Sequence, residues 1–232
     1  MKKVTVLILT AAVSIVFIVG ICCYIKLSSI YVNNSMYLLH NKTITIDAGH
    51  GGTDPGKVGK IKNEDDLNLE FSRRLRDILT SMGAKVIMTR EVKGGLYKDG
   101  SAVWDKDDDM QKRRDIICDN NSDIMVSIHM NSHTDNVSRG TQVFYMAKHN
   151  KSKNLAKRIK EQTDSLSKYS RRRDIRPRDD LFILKNKGIP SVIVECGFLS
   201  CPKEEKLLNK KDYQNKLCKC IAKGIVKYMV EK

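Results

Sequence analysis

Two histidines and two glutamates occupy places in this chain where ordinary packing does not call for them. His50 sits in Asp47-Ala48-Gly49-His50-Gly51-Gly52-Thr53-Asp54-Pro55-Gly56, where small or rigid neighbours free the backbone for left-handed dihedrals and leave the imidazole uncovered. His129 follows the apolar run Asp123-Ile124-Met125-Val126-Ser127-Ile128. Glu195 ends a second run, Ile189-Pro190-Ser191-Val192-Ile193-Val194, where a carboxylate is costly unless it is paired or used. Glu64 lies fourteen residues past His50, at the far end of the glycine loop. Taken singly, each has a plain reading as a turn, a satisfied buried histidine or a capping acid. Together, two imidazoles and one carboxylate make the ligand set of a catalytic zinc site with a fourth position open to water, and a second carboxylate is the base such a site needs. Zinc lowers the pKa of its bound water to about 7. A neighbouring glutamate can take that water's proton and pass it to a departing amine.

The four residues must be carried to one place, and the pattern supplies the elements. Thr43 to Asp47 alternates as a short strand running into the His50 loop. A helix opens at Glu64-Asp65-Asp66, with Leu67, Phe71, Leu75, Ile78, Leu79 and Met82 as its apolar stripe and Gly83 as its stop. Lys85 to Arg90 reads as the next strand, giving a right-handed βαβ unit. Residues 91–109, including the acids Asp105 to Asp109, read as a long polar loop, and Met110 to Asn120 as a helix. Further strands are expected at 123–128, 141–147 and 189–195, with a short apolar strand or edge segment at 181–184. Helices are expected at 152–167 and 212–229, the last burying Tyr213, Leu217, Cys220, Ile221, Gly224 and Tyr228. The fold class is α/β: a mixed, mostly parallel central sheet with helices on both faces, in a single catalytic domain. Strands ending in His50, His129 and Glu195 then meet at one sheet edge, where ligands bind in open α/β sheets.

With 232 residues there is material for one well-packed domain and little more. Lys2-Lys3 precede an uncharged run from Val4 to Ile25, long enough to cross a hydrocarbon core of about 30 Å. No small-x-small cleavage site follows closely, so the run reads as an uncleaved signal anchor that leaves the rest outside the cytoplasm. The organisation is a transmembrane signal anchor (1–26), a linker (27–42) and a catalytic domain (43–232). Net charge is +15, of which +12 belongs to residues 27–232, so an acidic partner is expected. For an exported chain with 6% aromatics, that partner is anionic wall polymer and not nucleic acid. The basic run Ser170 to Arg178 is a solvated surface that can also grip anionic substrate. Cys196-x4-Cys201 and Cys218-x-Cys220 lack the C-x2-C spacing of zinc pairs, and the cysteines read as buried thiols.

In Asp47-Ala48-Gly49-His50-Gly51-Gly52, Asn63-Glu64-Asp65-Asp66-Leu67-Asn68-Leu69, Ser127-Ile128-His129-Met130-Asn131 and Val194-Glu195-Cys196-Gly197-Phe198-Leu199-Ser200 the chain resembles the zinc-dependent N-acetylmuramoyl-L-alanine amidases of the amidase-3 type. The pieces follow the family's order and the similarity covers about residues 43 to 230. The resemblance implies His50, Glu64 and His129 as zinc ligands and Glu195 as catalytic acid-base, with peptidoglycan as substrate and the lactyl-L-alanine amide as the bond cut. The short architecture, without wall-binding repeats, is similar to that of the family's spore-cortex members. That likeness implies a downstream deacetylase leading to muramic-δ-lactam, and leaves room for a helper protein. Cys118 and Cys201 stand where relatives often carry asparagine. Two other classes share these features: a membrane-tethered wall-binding protein without turnover, and a zinc peptidase acting within the stem.

Overall fold

Alternation along the strands decides which face each residue serves. In a computed structural model that describes residues 13–24, 26, 38–96, 105–166, 171–186 and 188–230, β1 is Thr43–Ala48, β2 Lys85–Met88, β3 Ile124–Asn131, β4 Gln142–Tyr145, β5 Arg176–Pro177 and β6 Ser191–Phe198. They form one sheet in the order β2-β1-β3-β6-β4-β5. β1 runs parallel to β2 and β3, and β3 parallel to β6, whereas β4 is antiparallel to β6 and carries β5 in parallel at the edge. The expected mixed, mostly parallel sheet is therefore present.

The helices are α1 (Glu64–Ser81), α2 (Lys106–Asp119), α3 (Asn150–Thr163), α4 (Pro202–Leu208) and α5 (Lys211–Val230). On one face of the sheet Ile44, Ile46, Val126, Ile128, Val192 and Val194 pack with Leu67, Phe71 and Leu75 of α1, Leu155 and Ile159 of α3, and Leu217, Ile221 and Ile225 of α5. On the other, Met125, Phe144 and Ile193 meet Ile117 of α2 together with Ile183 and Leu184. Each such side chain stabilises the fold by roughly 1.5–3 kcal/mol through burial. α1 forms as its stripe and acidic first turn predict, and the chain leaves it through Gly83 at φ 89°.

Several expectations need correction. The acids Asp105 to Asp109 do not lie in a loop: Asp105 caps α2, accepting from the N–H groups of Asp107 and Asp108 at 2.9 and 3.2 Å, and the others form its first turn. Residues 181–184 are not a strand, since Phe182–Leu184 form a 3-10 turn. α4 was not expected at all, and in α5 it is Cys218 that is buried while Cys220 is half-exposed. Compactness begins at Leu39, inside the expected linker: its side chain is fully buried and its N–H donates to Met82 O at 2.9 Å. The expected membrane span falls partly outside the described residues. Residues 13–24 of it are helical, and among the described residues no helix is long and apolar enough to cross a membrane.

Candidate metal centre

Register brings the site together. Ala48 of β1 pairs with Ile128 of β3, so the chain leaving β1 passes His129, and Gly49 N–H donates to Ile128 O at 3.1 Å. His129 is in turn the partner of Glu195 across β3 and β6, where strands lie about 4.8 Å apart and paired side chains share a face. Both residues lie within their strands: His129, expected just beyond its strand, is inside β3, and Glu195, expected as the last residue of its strand, is followed by three more of β6; the β3–β6 register shifts between His129 and Asn131.

His50 turns toward this edge because its backbone is left-handed, at φ 60°, a conformation that costs a non-glycine residue about 1–2 kcal/mol. Its Nδ1 is 2.7 Å from Asp54 Oδ2, which leaves Nε2 facing Glu64 Oε1 at 3.2 Å. His129 Nδ1 reaches the same Oε1 at 3.0 Å. The two rings meet edge-on with centroids 4.9 Å apart, and ligand atoms of His50, Glu64 and His129 all lie within 4.8 Å of one another. Glu64 is fixed from behind: Oε1 accepts the Met130 N–H at 3.1 Å and Oε2 the Lys57 N–H at 2.8 Å. The Asn68 amide donates to Gly49 O at 3.1 Å and lies 3.4 Å from Oε1.

Two glycines make the room. A Cβ on Gly49 would lie 2.2 Å from His129 Nε2, and one on Gly56 would lie 2.6 Å from His50 Cδ2 and 2.7 Å from Glu64 Oε2.

Charge is distributed accordingly. Burial alone would raise the Glu64 pKa, but hydrogen bonds from His129 and His50 hold it far below the usual carboxylate range. Burial would lower that of His50, yet the hydrogen bonds and charges of Glu64 and Asp54 raise it to about 9. Glu195 goes the other way: desolvation, offset in part by His129 and reinforced by the negative Glu64, pushes it up to about 7. Its Oε2 is buried without a hydrogen-bond partner. Two nitrogens and one carboxylate oxygen converging beside an orphaned carboxylate oxygen suit zinc with an ionisable water.

All four residues picked out by sequence are at this edge. His133, two residues beyond β3, lies apart from them, exposed and paired with Asp135 at 2.9 Å. A cleft of about 610 Å³ opens beside the two imidazoles, walled by Met110, Leu181, Phe182 and Ile193. Sequence reasoning missed Asp54, whose i+4 spacing from His50 was the available signal, and it missed two clamps. Buried Glu204 accepts from Phe198 N–H at 2.8 Å and Gly140 N–H at 3.0 Å, while its neighbour Glu205 accepts from Ile61 N–H at 2.9 Å. α4 thus ties the loop leading to Glu64 and the loop after β3 to one short helix. Cys201, its N-cap, makes no side-chain hydrogen bond there.

Residues 44–227 match the N-acetylmuramoyl-L-alanine amidase family of the amidase-3 type. The chain belongs to this family. Among amidases of known sequence it is 36% identical over 196 residues to the germination-specific N-acetylmuramoyl-L-alanine amidase of Bacillus subtilis, covering 84% of this chain and 82% of that one. Among solved amidase structures it is similar to the CwlD amidase from Clostridioides difficile, determined in complex with the GerS lipoprotein, at 41% identity and a TM-score of 0.79, covering 83% of this chain and 100% of that one. A second amidase, from Clostridium difficile 630, aligns at 28% identity and a TM-score of 0.73 over 82% of this chain and 98% of its own.

Proposed function

We propose that this amidase uses one zinc ion to hydrolyse the amide between the muramic lactyl group and L-alanine of peptidoglycan, releasing stem peptides. The observation that carries the mechanism is Glu195: a carboxylate with a buried, unpartnered oxygen and a pKa near neutrality, registered beside His129. His50 Nε2, Glu64 and His129 Nδ1 would hold the ion, and when bound it supplies Lewis acidity to the lactyl carbonyl and to water.

The chain's own residues do the rest. Asp54 fixes the tautomer of His50 by occupying Nδ1, as the outer partner of a metal-bound histidine does. Glu195 takes a proton as water's oxygen adds to the carbonyl carbon. It then returns that proton to the nitrogen of L-alanine as the carbon–nitrogen bond breaks, leaving a lactyl carboxyl group, which keeps water's other proton until it ionises, and a free amine. No serine or cysteine nucleophile takes part.

Similarity to the germination-specific relative supports a role in spore-cortex maturation toward muramic-δ-lactam, with a deacetylase acting on the product. Similarity to an amidase solved with a lipoprotein supports a helper partner of that kind. The apolar run Val4 to Ile25 supports tethering to the outer face of a membrane. Incubating the protein with purified stem-bearing muropeptides tests the reading. Free stem peptide with N-terminal alanine is the expected product, whereas a shortened stem would indicate a peptidase and unchanged substrate a binding protein.

A further inference from the structure

Arg113, a charged residue of α2, is among the largest fully buried side chains. Every nitrogen of its guanidinium is engaged. Nη2 donates to His50 O at 2.6 Å; Nη1 donates to Ala48 O at 2.7 Å and Asp47 Oδ1 at 2.8 Å; Nε donates to Asp109 Oδ2 at 2.6 Å. The carbonyl it grips thus belongs to a candidate metal ligand whose backbone is left-handed.

Asp47 extends the grip to the second imidazole. Its Oδ2 accepts from Ser127 Oγ at 2.5 Å, two residues before His129 on β3, and its Oδ1 from Thr89 Oγ1 at 2.7 Å. Arg90 completes the layer, donating to Ala48 O at 2.8 Å, Gly49 O at 3.0 Å and Asp65 O at 2.9 Å, the last adjoining Glu64. Two buried guanidinium groups therefore collect the carbonyls of residues 48, 49, 50 and 65, and the Asp47 carboxylate links Arg113 to β3. Planar, always-charged forks suit this task, because one group reaches several fixed acceptors at once and lysine cannot.

We propose that Arg113 is a positioning residue for metal binding: by holding the His50 carbonyl and Asp47 together, it keeps the left-handed turn that aims His50 at Glu64 and His129. The inference rests on the zinc reading above and adds a residue that touches neither metal nor substrate. It predicts that loss of the fork weakens the ion's affinity before it affects substrate binding.

The test is zinc titration of the full chain against a chelating dye, with cobalt(II) spectra of the same variants. Arg113→Lys keeps the charge but not the fork and is expected to bind zinc 10- to 100-fold more weakly, the usual cost of removing an outer partner of a ligand. At saturating zinc its KM is expected to match wild type, and its cobalt bands are expected to shift. Added guanidinium ion should restore several-fold of the affinity lost in Arg113→Ala. Met229→Ala, a core truncation remote from the site, should lower stability yet leave zinc affinity within twofold.

Zinc affinity within twofold of wild type in Arg113→Lys, with unshifted cobalt bands, overturns the proposal; so does an equal loss in Met229→Ala. If neither Arg113 variant folds, Asp109→Asn loosens the same fork from outside. It should weaken zinc binding severalfold, and unchanged affinity in that variant overturns the proposal equally. Failure of the zinc reading would look different, since the wild-type chain itself would then bind no zinc.

Discussion

The same strands end in opposite ways. At the carboxyl ends of β1, β3 and β6 charged groups are packed against one another: Glu64 and the half-buried Glu195 lie beside two imidazoles, the buried pair Asp47 and Arg113 braces the backbone behind them, and even a methyl group has no room at Gly49 or Gly56. At their amino ends the charges lie in solvent. Lys42 is 3.8 Å from Asp123 with both side chains about a third exposed, and Lys151 and Lys157 stand open along a groove that also includes Asn154, Pro190 and Tyr228. Exposed pairs of that kind contribute about 0–1 kcal/mol, whereas removing one member of a buried pair costs about 3–5 kcal/mol. One end of the sheet has a geometry to protect, and the other has only solubility.

Substitutions should expose the contrast in order of size. His129→Ala is expected to lose both metal and turnover; full zinc retention by metal analysis would break the ligand assignment and the contrast with it. Glu195→Gln should keep zinc, as the same analysis would show, while kcat falls about 10²- to 10⁴-fold, the range for loss of a general base. Gly56→Ala places a methyl group on His50 and Glu64 at a φ of 61°, and should weaken zinc binding about tenfold or more.

Acidity sharpens the comparison further. In the metal-free protein the folded His50 has a pKa of about 9, above the ordinary 6.5, so stabilisation by its charged form is fully present below 6.5 and is lost as pH rises through about 9. Zinc must displace that proton. Its apparent affinity should therefore rise about tenfold per pH unit from 7 toward 9, with proton release visible by calorimetry in buffers of different ionisation enthalpy. Smallest of all, Lys157→Ala at the amino end should change stability by less than about 0.5 kcal/mol in a denaturant titration and leave activity unchanged.

How much was legible depended on how far each signal reaches. The His50 loop, the runs ending in His129 and Glu195, and the stripe of α1 are local patterns, and the structure brings all four residues to one edge. α2 was placed late because it lacks an apolar stripe; it is docked through Arg113, whose acceptors Asp47, Ala48 and His50 lie 63 to 66 residues away in sequence. The grip of Glu205 on Ile61 spans 144 residues and leaves no local trace. The 3-10 turn at Phe182–Leu184 has a strand's composition, but its burial of Ile183 and Leu184 comes from α2 and β6, which no short window contains.

Leu39 carries a mechanical consequence. β1 leads directly into the His50 turn, so force drawn along the N-terminal segment would otherwise travel down that strand into the candidate metal centre. Instead the chain is first clamped by a fully buried side chain and a bond to Met82, at the far end of α1 from Glu64. Leu39 works as strain relief on a cable: a pull on the chain ahead of it would be taken up in the body of the domain before it could disturb the imidazole.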